Sequence, residues 1–428
     1  MPPIADHPLR YANANELHAR PFPTLGAPSR ATYLALKPSK GDKPRDFEAD
    51  RAHLIALLDR YGAPHPQPGA THYSGQIGKH RLKWESHTEF LTYTVLQDGT
   101  GDRPFDGQAF DVFPEDWLAD APGVCVTSAN IHVEIADGDD QIASKANQWF
   151  VPESLAISRV LDDELVIAGD FRIDTSGHMR FAIFARPGTG ERRIGRVVQR
   201  LCEIETYKAM SMLGLTRARS LGAQMHRFDV KLTAILGDMI VPTSQPDVVL
   251  EQLLTVSAEL ENTVAQSAYR FGATGAYETI VNQRIAVLRE ARFQGLQTFA
   301  EFMMRRFDPA MRTVDSTQAR LQRMSDRAQR ASDLLRTQVD VARSAQNQAL
   351  LTSMDKRADL QLRLQRTVEG FSIVAISYYA VNLVLYMAGP IQKLTGLDKL
   401  QTAAIVTPLV LICVWLAVGR IRKKSEED

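Results

Sequence analysis

Chemistry needs side chains of the right type at the right spacing, and this 428-residue chain has few such places. Glu16, His18 and Arg20 alternate along the N-terminal segment, so an extended backbone would aim all three to one side. They form a candidate ligand-binding cluster, set against a plainer reading of an arm tied to a domain surface by ion pairs. His132 and Glu134 match half of a zinc-deaminase signature, but the Pro-Cys-x-x-Cys half is missing. Two side chains sharing one strand face explain that pair. Asp137-Gly-Asp139-Asp140 is a fragment of a calcium loop without its closing glutamate, and reads as a polar hairpin tip. Gly188-Thr-Gly190 reads as a loop capping the helix that follows, in a place where an anion could otherwise sit. No GxxxxGK[ST], HExxH or GxSxG run occurs, so the sequence assigns no catalytic residue, no metal ligand and no cofactor.

One further constellation is polar in an apolar setting. Ala375, Tyr379, Asn382, Tyr386 and Gly389 recur every three or four residues in a stretch otherwise without charge. On a helix they make one stripe, and an asparagine at membrane depth needs a partner. Packing against a second span, or a subunit or pore interface, would each supply one.

The elements that must carry these residues follow from composition and periodicity. Residues 370–388 and 402–418 are uncharged and apolar, each roughly 25–28 Å long as a helix, against a bilayer core of about 30 Å. They read as a transmembrane hairpin turning near Pro390 and Gly396. Arg363 and Arg366 precede it, and Arg420, Arg422, Lys423 and Lys424 follow it. The linker holds only Lys393 and Lys399 with Asp398. Basic flanks stay inside, so both termini are expected in the cytoplasm. Three scattered cysteines and no apolar N-terminal core agree with a reducing cytosol. Lysine plus arginine and aspartate plus glutamate balance at 50 each, which gives no pull toward nucleic acid.

Before the hairpin the pattern changes twice. Residues 1–29 hold several prolines and read as an extended arm. Residues 30–188 read as an α+β domain. Its strands lie near 32–36, 80–85, 89–96, 123–135, 165–173 and 179–185, and its helices near 46–61 and 114–118. Residues 189–367 read as long helices and coiled coil. A break is expected at Phe271-Gly-Ala-Thr-Gly-Ala276, then a helix over 277–307 and a restart at Asp308-Pro309. Val314, Leu321, Ala328, Leu335 and Ala342 alternate in heptads with Thr317, Met324, Ala331, Gln338 and Ala345. With no proline or glycine over 310–369, one helix is expected to run into the first span. Residues 368–419 are the hairpin, and 420–428 a basic and acidic tail.

The segment Asn15–Phe22, the block Gln199–Tyr207, the turn Met303–Ala310 and the run Ser377–Val381 carry a resemblance. The chain resembles a bacterial family of predicted membrane-anchored proteins, domain of unknown function 3422. That resemblance implies an inner-membrane location and no activity. The layout is also similar to that of CorA-type magnesium channels. Their Gly-Met-Asn signature is replaced here by Tyr386-Met-Ala-Gly389, without the asparagine. The reading reached is a multi-pass, membrane-anchored cytoplasmic scaffold or sensor that forms homo-oligomers through its helices. The alternatives are a CorA-like channel with Tyr379, Asn382 and Tyr386 on the path, or an enzyme within the α+β domain.

Overall fold

In the computed structural model, residues 4–16, 22–38, 45–101, 103–239, 245–389 and 398–425 are described. The chain divides into two compact units, one of residues 1–244 with 251–331, the other of residues 245–250 with 332–428.

The first unit is built on one nine-stranded sheet. Strands β1 (Ser29–Lys37), β2 (His72–Ile77), β3 (His80–Ser86), β4 (Leu91–Asp98) and β5 (Val124–Ile135) are followed by β6 (Ala156–Val160), β7 (Leu165–Ile173), β8 (Met179–Ala185) and β9 (Ala291–Arg292). Their order is β2-β3-β4-β1-β5-β8-β7-β6-β9. Neighbours are antiparallel except for the parallel pair β5 and β8, so the sheet is mixed.

Period-two alternation sends the two sets of side chains to different partners. Leu34, Leu82, Trp84, Tyr93 and Val95 point to one face, where α2 (Phe47–Arg60) and α3 (Glu115–Ala119) cover them. On the same side, α4 (Asp139–Trp149) covers Val166, Ala182 and Phe184. The opposite face, with Tyr33, Lys83 and Thr94, receives the long helix α5 (Glu191–Asp238), which packs on β1, β5 and β8. Three layers result.

Helix α2 shows how local sequence sets an element. Asp46 caps it, its carboxylate accepting from the amides of Glu48 and Ala49 at 3.0 Å each. His53, Leu54, Leu57 and Leu58 form its buried stripe. His53 stacks on Trp117 at 3.9 Å, takes a 2.8 Å hydrogen bond from the Tyr93 hydroxyl, and donates to the Trp117 carbonyl at 3.0 Å. Burial pushes its pKa below the usual 6.5. The unfolded chain therefore binds this proton first, so the contribution of neutral His53 is full above about pH 6.5 and is lost as pH falls. Unfolding free energy is expected to drop between pH 6.5 and 5. The limit is about 1.4 kcal/mol per pH unit for one proton. His53→Gln should flatten the curve in urea titrations, and an unchanged slope would refute the assignment. His80 and His178, also lowered by burial, add to the slope in the same direction.

Several expectations need correction. The arm is not extended over residues 10–16, because Arg10–Glu16 forms a short helix, α1. Asp137–Asp140 is not a hairpin tip but the entry to α4, where Asp139 pairs with Arg159 and Arg186. Hydrogen bonding by Arg186 and Arg159 holds the Asp139 carboxyl below the usual range although burial opposes it. Phe271–Ala276 does not break the chain direction: α6 runs from Pro246 to Ala286 through it. Two glycines cost roughly 1 kcal/mol each, but Phe271 and Thr274 are buried there and packing prevails. The break comes at 287–298 instead, where Arg289 and Gln294 take left-handed backbone and β9 pairs with the edge of β6. Helix α7 (Phe299–Arg306) then starts on a capping box formed by Thr298 and Glu301.

Helix α8 is continuous from Asp308 to Met387. Its part in the first unit joins a bundle with α5 and α6, tied by Arg320 to Asp229 at 2.9 Å, Ser325 to Glu261, and Gln224 to Thr263 at 2.9 Å. Its apolar heptad residues Val314, Leu321, Met324 and Ala328 are buried, as the spacing requires. In the second unit α8 is exposed at every residue from Asp340 to Ser372, and α9 (Lys399–Ser425) follows. Both helices have an apolar stretch long enough to cross a membrane.

Candidate functional site

One cleft of the first unit lies between the sheet and α5. Its volume is about 270 Å³. Strands contribute through alternation: Tyr33 from β1, Lys83 and Glu85 from β3, Thr92 and Thr94 from β4. Helix α5 contributes Gln199, Cys202, Glu203 and Thr206, whose spacing of three or four puts them on one face. Arg284 enters from α6, and Phe22 and Pro23 of the arm also line the cleft.

The polar lining forms a chain. Lys83 Nζ stands 3.1 Å from Glu85 Oε1 and donates to Gln199 Oε1 at 3.0 Å. Gln199 Nε2 donates to Glu203 Oε1 at 2.8 Å, and Glu203 pairs with Arg284. Thr206 donates to the Cys202 carbonyl at 2.9 Å, so the 2.5 Å contact with Tyr33 has the phenol as donor. Two cations and two anions alternate, and their formal charges cancel. Burial pushes the Cys202 thiol and the Tyr33 phenol well up. Cys202 is therefore a thiol rather than a nucleophilic thiolate. The cleft is thus lined by donors and acceptors fixed through their bonds to one another.

The residues singled out in the sequence lie elsewhere. Glu16 closes α1, and its side chain, with all of His18 and Arg20, falls outside the described residues. His132 Nε2 meets Glu134 Oε2 at 3.3 Å and Lys145 Nζ meets Glu134 Oε1 at 2.6 Å. Burial works against the Glu134 carboxylate, but these bonds hold its pKa below the usual value. Glu134 thus pairs with Lys145 and accepts from His132, whose ring packs edge-on against Trp149 at 5.1 Å. Thr189 bonds the carbonyls of Glu164 and Arg186, which fixes the loop before α5. Among the described residues, no group of three or more His, Cys, Asp or Glu is placed to hold a metal ion.

In the second unit Tyr379, Asn382 and Tyr386 do share one groove along α8. The two tyrosines are 72% and 85% exposed, and Asn382 Nδ2 donates to the Tyr378 carbonyl of its own helix at 3.0 Å. A second groove is lined by Ala380 and Val384 of α8 with Leu409, Val410, Cys413, Val414 and Ala417 of α9. Arg363 and Arg366 are exposed within α8 just ahead of its apolar stretch and Arg420 is exposed in the last turns of α9, while the side chains of Arg422, Lys423 and Lys424 are outside the described residues.

The cleft residues went unread in the sequence although signals existed. Gln199, Glu203 and Thr206 recur at helical spacing beside the apolar stripe Val197, Leu201 and Ile204. Lys83 and Glu85 alternate within a strand. Neither signal indicates that the two sets meet.

No curated protein matches the chain. A family match does extend over residues 5–425, nearly the whole chain, and gives no support to the likeness of layout to CorA-type channels. The chain therefore belongs to the family described as Protein of unknown function (DUF3422).

Proposed function

We propose that the protein is a membrane-anchored cytoplasmic sensor or scaffold. Its α+β body is held at the bacterial inner membrane by a hairpin of α8 and α9, with both termini inside. The cleft lined in part by the arm is its binding site for a small polar ligand, and no catalytic step is assigned to it. One observation carries the anchoring: on both apolar helices large side chains stand open, with Phe371 72%, Val374 68% and Trp415 71% exposed. Water disfavours that surface and lipid accepts it. The basic residues at the outer ends of the pair support the orientation.

Cell fractionation tests the reading. The full chain should stay in the membrane pellet through alkaline carbonate and leave it only with detergent. A chain ending at Val339 should move to the soluble fraction. Membrane-impermeant maleimide should label Lys393→Cys in spheroplasts but Ser425→Cys only after lysis. A full chain found in the soluble fraction would overturn the anchor, and the reverse labelling would overturn the orientation.

A further inference from the structure

The cleft between the sheet and α5 holds donors that its own bonds do not use. Of the three ammonium hydrogens of Lys83, Glu85 and Gln199 take two, and the third has no partner among the described residues. Thr92 and Thr94 line the same cleft and are only 3% and 7% exposed. Neither hydroxyl has a hydrogen bond among the described residues. Strand register sets these groups side by side: Thr94 stands opposite Lys83, and Thr92 opposite Glu85, across β3 and β4. One row therefore presents an ammonium and a hydroxyl. The next row on the same face presents a carboxylate and a hydroxyl.

We infer that the cleft takes a free α-amino acid in its zwitterionic form. Lys83 Nζ and Glu85 Oε1 are 3.1 Å apart. In an α-amino acid the nitrogen and the carboxylate carbon are about 2.5 Å apart across Cα. Laid against the pair, the ligand's carboxylate meets Lys83 and Thr94, its ammonium meets Glu85 and Thr92, and the four charges alternate around a square. A carboxylate accepts at about four positions, so Glu85 can serve the ligand as well as Lys83. Charge balance selects the same class. The pairs Lys83 with Glu85 and Arg284 with Glu203 already cancel, and Lys83 is 8% exposed. A net anion or cation would be left uncompensated out of water there, whereas a zwitterion brings its own balance. Phe22, Phe90 and Tyr207 also line the cleft, and Phe90 meets Tyr207 edge to face at 5.8 Å, which suits an apolar side chain. A volume of about 270 Å³ lies at the small end for ligand sites, as one amino acid requires. The inference rests on the cleft being a binding site, as proposed above.

Binding to the full chain in detergent tests it. The probes are L-leucine and L-phenylalanine, with 3-methylbutylamine and 4-methylpentanoate as leucine lacking one charge each, and glucose as an uncharged polar molecule. In a Cys125→Ser, Cys413→Ser background, the rate at which maleimide modifies Cys202 reports whether the cleft is occupied. The amino acids should slow that rate several-fold, and each analogue with one charge should bind at least about tenfold more weakly. Glu85→Gln should erase the preference for L-leucine over 4-methylpentanoate. Thr94→Val, which removes only a hydroxyl, should weaken the amino acids while leaving the urea midpoint near that of the parent. An analogue that protects Cys202 as well as L-leucine does would overturn the zwitterion and leave the cleft a binding site. Protection by glucose but by neither amino acid would do the same. Amino acids that bind without changing the Cys202 rate would overturn both readings, because they would occupy another place.

Discussion

Gly195→Leu is expected to lift the N-terminal arm off the body, lowering unfolding free energy by about 2–4 kcal/mol. A side chain at Gly195 would overlap the carbonyl oxygen of Pro23, which is backbone and cannot swing aside. Next to that crossing, Leu25 is fully buried, its amide donates to the Glu191 carbonyl at 3.1 Å, and Arg81 donates to Thr24 at 3.1 Å. Burial of a leucine is worth about 1.5–3 kcal/mol, and the arm loses it when forced away. Because Phe22 and Pro23 line the cleft that also holds Cys202, the same change should speed modification of the buried Cys202 thiol by about tenfold or more, about 1.4 kcal/mol of protection. A Cys125→Ser, Cys413→Ser background isolates that thiol. Gly222→Leu is the control, since nothing stands within 4 Å of a side chain there. If the two leucine variants unfold at the same urea concentration, the arm does not hold the body as described.

Asp50→Ala should cost about 3–5 kcal/mol, the range for removing one member of a buried ion pair. Arg45 Nε and Asp50 Oδ2 are 2.7 Å apart, with side chains 6% and 3% exposed. Burial pushes the Asp50 carboxyl up and the Arg45 guanidinium down, each against the pull of its partner's charge. Desolvation is thus the larger force on both, and geometry makes the pair tolerable. Arg45 also donates to the Phe90 carbonyl at 2.8 Å, to Ser86 Oγ at 3.2 Å, and to the carbonyl of His87. It clamps the turn between β3 and β4 at the edge of the cleft. Without Asp50 the guanidinium keeps its desolvation cost and loses its counter-charge. Arg45→Met with Asp50→Leu removes both charges and should recover most of the lost stability in urea unfolding. A single variant within about 1 kcal/mol of the parent protein would show that water reaches Arg45 freely.

Much of the architecture was legible because it is local. Asp46 and Gly62 bracket α2, and six strand expectations fall on strands of the sheet, since alternation along a strand needs no distant residue. The unbroken α8 follows from a span without proline or glycine. Misreadings arose where packing or backbone strain overrode a local cue. Gly272 and Gly275 sit inside α6 because the buried Phe271 and Thr274 hold that helix, while Arg289 and Gln294 turn the chain without a glycine at either position. Strands β2, β6 and β9 lie at or near the sheet edges and are short, so their alternation is too brief to stand out.

By itself the sequence determined the two apolar helices, the basic residues flanking them and the heptads that begin α8, because hydrophobicity, charge and helical period are properties of consecutive residues. Only the tertiary structure decided the cleft. Lys83 and Gln199 are 116 positions apart, and Glu203 and Arg284 are 81. Their meeting depends on strand order and on the path of α5 across the sheet, which are set by the burial of both faces at once and leave no periodic trace in any one segment.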